Sequence, residues 1–213
     1  MHLSNNLENE YGVCEPWAFY DALFSDEELQ KIIEIGQSLN PKKATVGINS
    51  TPRQDQYGLK EESRKSFVSF LGVNEDTFWI FDKLNHSIMS LNNSFFRCEL
   101  MGYDKIQYTH YPTGGYYTKH VDMIYQKDQH VKLMHGKELY GTANRKLSLS
   151  VLLNDDYEGG DLVINYDGQN DVVVEKIKGR VIAFPSYTTH EVTTVTRGER
   201  HSLVVWVMGP KWK

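Results

Sequence analysis

The chain has little cysteine: two residues in 213, Cys14 and Cys98, far apart and without C-x-x-C spacing. This excludes a disulfide framework or a zinc ribbon and leaves two buried free thiols as the expectation. There is no apolar run of about 18 residues, so hydropathy offers no membrane-spanning helix. The opening MHLSNNLENEYG has neither a basic n-region nor an apolar h-region, and the chain reads as cytoplasmic with no membrane partner. Nor is there an excess of basic charge: 23 Lys and Arg stand against 28 Asp and Glu, for a net charge of −5. Without a basic field, nucleic acid is disfavoured as a bulk partner. Internal repeats and low-complexity tracts are absent as well.

What is present is enough for one well-buried core. With 40% hydrophobic and 12% aromatic residues, the expectation is a single domain over 1–213. Residues 25–39 begin with Ser25 as N-cap and Glu28 three positions later, and Leu29, Ile32 and Ile33 follow on one side of a helix. A second helical period runs over 75–91 through Phe81, Leu84, Ile88 and Leu91, behind Asn74 as its cap. Residues 49–62 are polar and aperiodic, carry Pro52 and Gly58, and fit a mobile loop, read either as a plain solvent loop or as one that closes over a substrate through Arg53 and Tyr57.

From residue 104 the texture changes. Short strands are expected over 104–111, 116–121, 145–153, 161–166, 171–177, 180–184, 190–196 and 200–207, separated by signals such as NDDYEGGD and NYDGQND. In KLSLSVLLN, the apolar Leu147, Leu149, Val151 and Leu153 alternate with polar partners, as on a strand with one buried face. The fold class is therefore mainly β with flanking helices (α+β). A double-sheet jelly roll is expected over 104–208, with a helical support region in 1–100 covering one sheet. Residues 123–144 are long, polar and aperiodic, and read as an inserted loop beside a site.

The chemistry-bearing residues begin with His120-Val121-Asp122. Eight His and 28 acidic residues in 213 positions give roughly one His-x-Asp by chance, so the pair alone says little. On a strand, however, i and i+2 share a face, so both side chains can reach one ion while Val121 points away. His190 follows the strand GRVIAFP and the turn SYTT, which makes it the best third ligand. Two His and one carboxylate suit a non-haem Fe(II) with open positions, and zinc could use the same set. Ten residues on, Arg200 shares a strand face with 202, 204 and 206, and a guanidinium inside a barrel needs an anion such as a carboxylate. One molecule with a 2-oxo acid head and a distal carboxylate, 2-oxoglutarate, meets both demands. A surface salt bridge of Arg200 with Glu199 or Asp161 is the bland alternative. His86, His110, His130, His135 and His201 have no partner at ligand spacing and read as structural or solvated.

HYPTGGYYTKHVD, LLNDDYEGGDLVI, GRVIAFPSYTTHEV and TRGERHSLVVWV, in that order, resemble the Fe(II)- and 2-oxoglutarate-dependent dioxygenases of the prolyl 4-hydroxylase type. The resemblance implies a double-stranded β-helix in which His120, Asp122 and His190 bind iron and Arg200 binds the distal carboxylate of 2-oxoglutarate. Tyr111 matches the tyrosine that hydrogen-bonds the same co-substrate, and Tyr117 and Trp206 match positions that face substrate or line its pocket. The implied cofactors are Fe(II), 2-oxoglutarate and O2, with ascorbate as reductant. The implied reaction hydroxylates an unactivated C–H and releases succinate and CO2. Its substrate would be a peptide, protein or small molecule bearing proline. Arg200 stands where collagen-type enzymes usually carry Lys, which looks closer to the bacterial PKHD-type hydroxylases and the oxygen-sensing prolyl hydroxylases, and SRKSFVSFL lacks the Arg-Thr-Ser of the collagen-type enzymes.

Other classes remain on the table at this point. One is a jelly-roll binding module that kept the fold without the chemistry; another is an oxygenase of the same kind acting on a non-prolyl small molecule. Nucleobase demethylation is disfavoured because Trp206 stands where those enzymes carry a second arginine. A chlorinating variant is excluded by Asp122, since it needs a small residue there.

Overall fold

The computed structural model describes residues 16–44, 63–123, 130–132, 138–140 and 143–210. Cys14, the 49–62 stretch with Arg53 and Tyr57, and His135 lie outside the described residues.

Helix α1 (Asp26–Ser38) starts where the capping residues place it. Ser25 Oγ accepts the Glu28 N–H, and the Glu28 carboxylate accepts the Ser25 N–H at 2.8 Å, so two orphan donors of the first turn are satisfied. Asp26, Glu27 and Glu28 put negative charge at the positive end of the helix dipole. Its buried stripe is Leu29, Ile32, Ile33 and Gly36. Helix α2 (Phe78–Leu91) buries Ile80, Phe81, Leu84, Ile88 and Leu91. Its N-cap is Thr77 and not Asn74. Asn74 Oδ1 instead accepts the N–H groups of Asp76 and Thr77, closing the turn that leads into the helix. A π-helical turn (Asn92–Phe96) ends α2, and the Asn92 side chain ties it off by bonding both backbone groups of Cys98. Cys98 is a free thiol, half-buried, not fully buried as expected. Glu28 also joins the helices, because Lys83 Nζ of α2 lies 2.6 Å from its carboxylate.

The strands are β1 (Ala18–Tyr20), β2 (Lys42–Lys43), β3 (Arg64–Lys65), β4 (Phe67–Leu71), β5 (Gly102–Tyr111), β6 (Tyr116–His120), β7 (His130–Lys132) and β8 (Glu138–Tyr140). They continue with β9 (Asn144–Leu152), β10 (Glu158–Gly159), β11 (Leu162–Asn165), β12 (Asp171–Val173), β13 (Val181–Pro185), β14 (Thr189–Val192), β15 (Val195–Arg197) and β16 (Arg200–Gly209). A seven-stranded antiparallel sheet has the order β1-β13-β9-β16-β5-β4-β2, and a five-stranded sheet has the order β12-β11-β14-β6-β3. Two cores result. The outer face of the large sheet, with Ile106, Tyr108, Leu149, Leu203 and Val205, packs on both helices. Between the sheets lie Tyr111, Leu162, Ile164, Phe184 and Val192. This is the jelly roll with helices on one sheet that the sequence predicts.

Three further expectations need correction. The strand expected over 190–196 is two strands, β14 and β15, which bend apart to pair with β11 and β10 respectively. The strand expected over 171–177 ends at Val173. The 123–144 stretch is not all loop: β7 and β8 pair as a ribbon, His130 opposite Tyr140, which a period-two search misses in strands of three residues. No helix among the described residues is long and apolar enough to cross a membrane.

Gly36 lets α1 lie flat on the sheet, because a Cβ there would collide with the ring of Tyr108. Gly36→Ala should gain about 1 kcal/mol of helix propensity but lose about 1–3 kcal/mol to overpacking. The expected result is a net loss of stability, read as a lower urea midpoint. The Lys83 ammonium, bonded to Glu28, holds that carboxyl below its ordinary range. A depressed carboxyl pKa adds stability above the unfolded value, and this is lost as pH falls through the folded one. The Tm difference between the wild type and Lys83→Met should therefore shrink as pH is lowered from 7 to 3.

Candidate metal and anion site

Antiparallel pairing of β6 and β14 sets His120 directly opposite His190. Asp122 follows β6 and is anchored by the turn between β13 and β14: the N–H groups of Asp122 and Met123 both donate to the Ser186 carbonyl, at 3.0 and 2.8 Å. Ser186 is held in turn by its N–H to Lys146 O and its hydroxyl against Ser148 Oγ. Chain segments distant in sequence thus converge on one point.

The histidines are oriented alike. His120 Nδ1 lies 2.8 Å from Thr118 O, and His190 Nδ1 lies 3.0 Å from Thr188 O. A carbonyl can only accept, so each Nδ1 carries a proton, and in the neutral ring it is Nε2 that presents a lone pair to the cleft. Those two lone pairs flank Asp122: His120 Nε2 is 3.7 Å from Oδ1, and His190 Nε2 is 3.5 Å from Oδ2. These separations are too long for good N–H···O bonds but suit donors sharing one ion at about 2.0–2.2 Å. All three ligand atoms lie within 4.8 Å of one another.

The electrostatics agree. Burial, reinforced by His190, pushes His120 down to about 4. Burial alone would raise the Asp122 carboxyl, but His190, His120 and Arg145 outweigh it and hold the group below its ordinary range. The cluster therefore sets a buried carboxylate between two imidazole Nε2 atoms, a donor set that suits a divalent cation.

Arg200 opens β16 opposite Tyr111 of β5, its Cζ 5.3 Å from the tyrosine ring. It is buried, at 3% exposure. Nη1 donates to Ser202 Oγ at 2.9 Å, and Nε has no partner. The surface salt bridge is not formed: Glu199 faces His110 at 3.1 Å, and Asp161 faces Lys176 at 3.5 Å. Among the described residues no carboxylate pairs with Arg200. A buried guanidinium with an orphaned N–H calls for an anion.

One cleft joins both features, lined by His120, Asp122, His190, Arg200, Tyr111, Tyr117 and Trp206 among others. Tyr117 stacks on His120 with ring centroids 3.5 Å apart, and the Arg64 guanidinium lies 4.5 Å from the Tyr117 ring. Arg145 covers Trp206 at 4.0 Å and donates to Asp122 O. Trp206 Nε1 is buried and completes no hydrogen bond. All seven residues singled out in the sequence thus share one cleft. Sequence reasoning missed Arg64, Arg145, Ser186 and Ser202. Ser202 was within reach, two positions after Arg200 on the same face. Arg64 and Arg145 arrive through strand pairing and leave no local signal.

One expectation about the remaining histidines is overturned. His110 and His201 are not without ligand-spaced partners, because they stand opposite each other on β5 and β16 and meet Glu199.

Residues 106–208 match the family model described as the 2OG-Fe(II) oxygenase superfamily. The chain is 37% identical over 99 residues to a PKHD-type hydroxylase of Psychrobacter sp., covering 46% of this chain and 35% of that protein. It is 34% identical over 100 residues to one of Caulobacter vibrioides, covering 47% and 41%. The matched region thus spans less than half the length of these two relatives. Among solved structures, a Pseudomonas putida prolyl-4-hydroxylase superposes with a TM-score of 0.65 at 18% identity, covering 92% of this chain and 94% of that one. A viral collagen prolyl hydroxylase from Paramecium bursaria Chlorella virus-1, in its 2-oxoglutarate complex, superposes with a TM-score of 0.64 at 20% identity, covering 93% and 99%. At such identities these structures establish the jelly-roll fold. Fe(II) and 2-oxoglutarate, the cofactors of the matched family, suit the cation-seeking cluster and the anion-seeking arginine of this cleft. The match over residues 106–208 and the likeness to PKHD-type hydroxylases together support a PKHD-like 2OG-Fe(II) oxygenase.

Proposed function

We propose that this chain is an Fe(II)- and 2-oxoglutarate-dependent hydroxylase acting on a prolyl residue or a proline-like substrate. It works as one domain over 1–213, with helical support in 1–100 and the jelly-roll core in 104–208. His120 Nε2, the Asp122 carboxylate and His190 Nε2 hold the iron, and Arg200 holds the distal carboxylate of 2-oxoglutarate. The observation that carries this reading is the buried, carboxylate-free Arg200 in the same cleft as the His/Asp/His cluster.

When bound, iron and 2-oxoglutarate supply the oxidising chemistry, in which O2 and 2-oxoglutarate are consumed, a C–H becomes C–OH, and succinate and CO2 leave. The protein's own work is holding and excluding. The Thr118 and Thr188 carbonyls fix the tautomers that free both Nε2 atoms. With only these three protein ligands, a bound iron would keep room for the co-substrate. Ser202 aims the Arg200 fork, and Tyr111 beside it offers a phenol to the same carboxylate. Tyr117 and Trp206 wall the cleft and keep water from the reacting centre, with Arg64 and Arg145 stacked on them. The prolyl assignment draws on the likeness to PKHD-type hydroxylases and to structures of prolyl hydroxylases. One of these, from Trichoplax adhaerens, is in complex with a hypoxia-inducible-factor peptide fragment.

Mass spectrometry across proline-containing peptides and free amino acids, with succinate measured in parallel, tests the reading. The expected result is a +16 shift on proline matched by succinate. Asp122→Ala combined with His190→Ala should abolish both succinate formation and iron binding; survival of both would overturn the ligand assignment. Arg200→Ala should leave iron binding intact but weaken 2-oxoglutarate roughly 10- to 100-fold, the range for a lost charge-assisted contact of about 1.5–3 kcal/mol. Unchanged turnover would favour a different anchor for the co-substrate.

A further inference from the structure

A second cluster of metal-ligand type lies on the helix-facing side of the large sheet. Alternation along β16 sends Arg200 into the cleft and His201 to the opposite face, where it stands across from His110 of β5. The two imidazoles stack with centroids 4.9 Å apart. Glu199 Oε2 reaches both, 3.1 Å from His110 Nε2 and 3.8 Å from His201 Nε2. Donors bound at about 2.0–2.1 Å around a tetrahedral ion sit about 3.3 Å apart, and these two separations bracket that value.

An independent observation comes from His110. Its Nε2 is buried and forms no hydrogen bond, although the Glu199 oxygen is only 3.1 Å away. The oxygen therefore sits off the N–H axis. Two ligands of a common ion need such an offset, whereas a direct hydrogen bond does not tolerate it. The surroundings are also built for a fixed geometry. His201 Nδ1 lies 2.8 Å from the Tyr108 hydroxyl; with that nitrogen protonated, the ring donates to Tyr108 and presents the Nε2 lone pair to Glu199. The Asn154 side chain pins both neighbouring backbone groups, accepting the His201 N–H and donating to Glu199 O.

We propose that His110 Nε2, His201 Nε2 and the Glu199 carboxylate form a second divalent-cation site, of zinc type, separate from the His120/Asp122/His190 cluster. Two imidazoles and one carboxylate favour a borderline transition ion over Ca²⁺ or Mg²⁺, which take oxygen ligands. Glu199 is 55% exposed on its side chain, so the ion enters from solvent and keeps water in its remaining position. Because Glu199 and His201 flank Arg200, the bound ion clamps the first residues of the strand that carries the anion-binding arginine. The site does not depend on the proposed hydroxylase activity.

The test titrates Zn²⁺ by calorimetry into the tag-free, metal-stripped full chain. The wild type should bind two equivalents. Glu199→Gln and His110→Gln, both at positions that are not fully buried, should each bind one, with affinity at the second site reduced at least tenfold. Metal-free Glu199→Gln should unfold at the same temperature as metal-free wild type, and Zn²⁺ should raise its Tm less. Zn²⁺ stoichiometry and affinity in Glu199→Gln and His110→Gln that equal those of the wild type would overturn the proposal.

Discussion

The antiparallel register between β6 and β14 is the constraint on which the site depends. It puts His120 opposite His190, and because side chains alternate with period two, a slip of one residue would send an imidazole to the far face. The cleft is also stabilised around this pair: Ile164 backs His190 across β11, and the Phe184 ring centroid lies 4.6 Å from its imidazole. Asp122 needs no strand of its own, because the Ser186 carbonyl gathers two successive N–H groups and fixes the turn.

Strand β16 does a different job. It lies between β5 and β9, so its backbone groups are paired on both sides and its two faces have opposite duties. Leu203, Val205 and Val207 pack on the helices, while Arg200, Ser202, Val204 and Trp206 line the cleft. A central strand can carry a buried arginine because the cost of desolvating its charge is offset once an anion arrives. The same strand places His201 on the outer face, so one element feeds two clusters of polar groups separated by the thickness of a sheet.

The helices contribute by covering rather than by reacting. Glu28 closes the capping box of α1 and binds Lys83 of α2, so one carboxylate fixes the start of the first helix and its angle to the second. Gly36 then allows α1 to approach the sheet closely enough to cover Tyr108. That contact buries the outer face of β5, and the inner face is left free to carry Tyr111 and Gln107 in the cleft.

Local sequence determined a good deal. Ser25 and Glu28 start α1 because their hydrogen bonds span only three residues, and the alternation in 147–153 and 200–206 marks strands because period two is a property of the strand itself. Even so, the polar positions of β9, Ser148 and Ser150, do not face water as alternation suggests; the second sheet covers them, and they are buried. The His-x-Asp spacing, His190 and Arg200 were legible as a set through their order along the chain. What only the tertiary structure decided was which distant residues meet. Arg64 reaches Tyr117 through β3–β6 pairing, Ser186 anchors Asp122 from 64 residues away, and His110 meets His201 across β5 and β16. Such contacts are set by strand order and register, which depend on the balance of the whole core and leave no trace in the spacing of neighbouring residues.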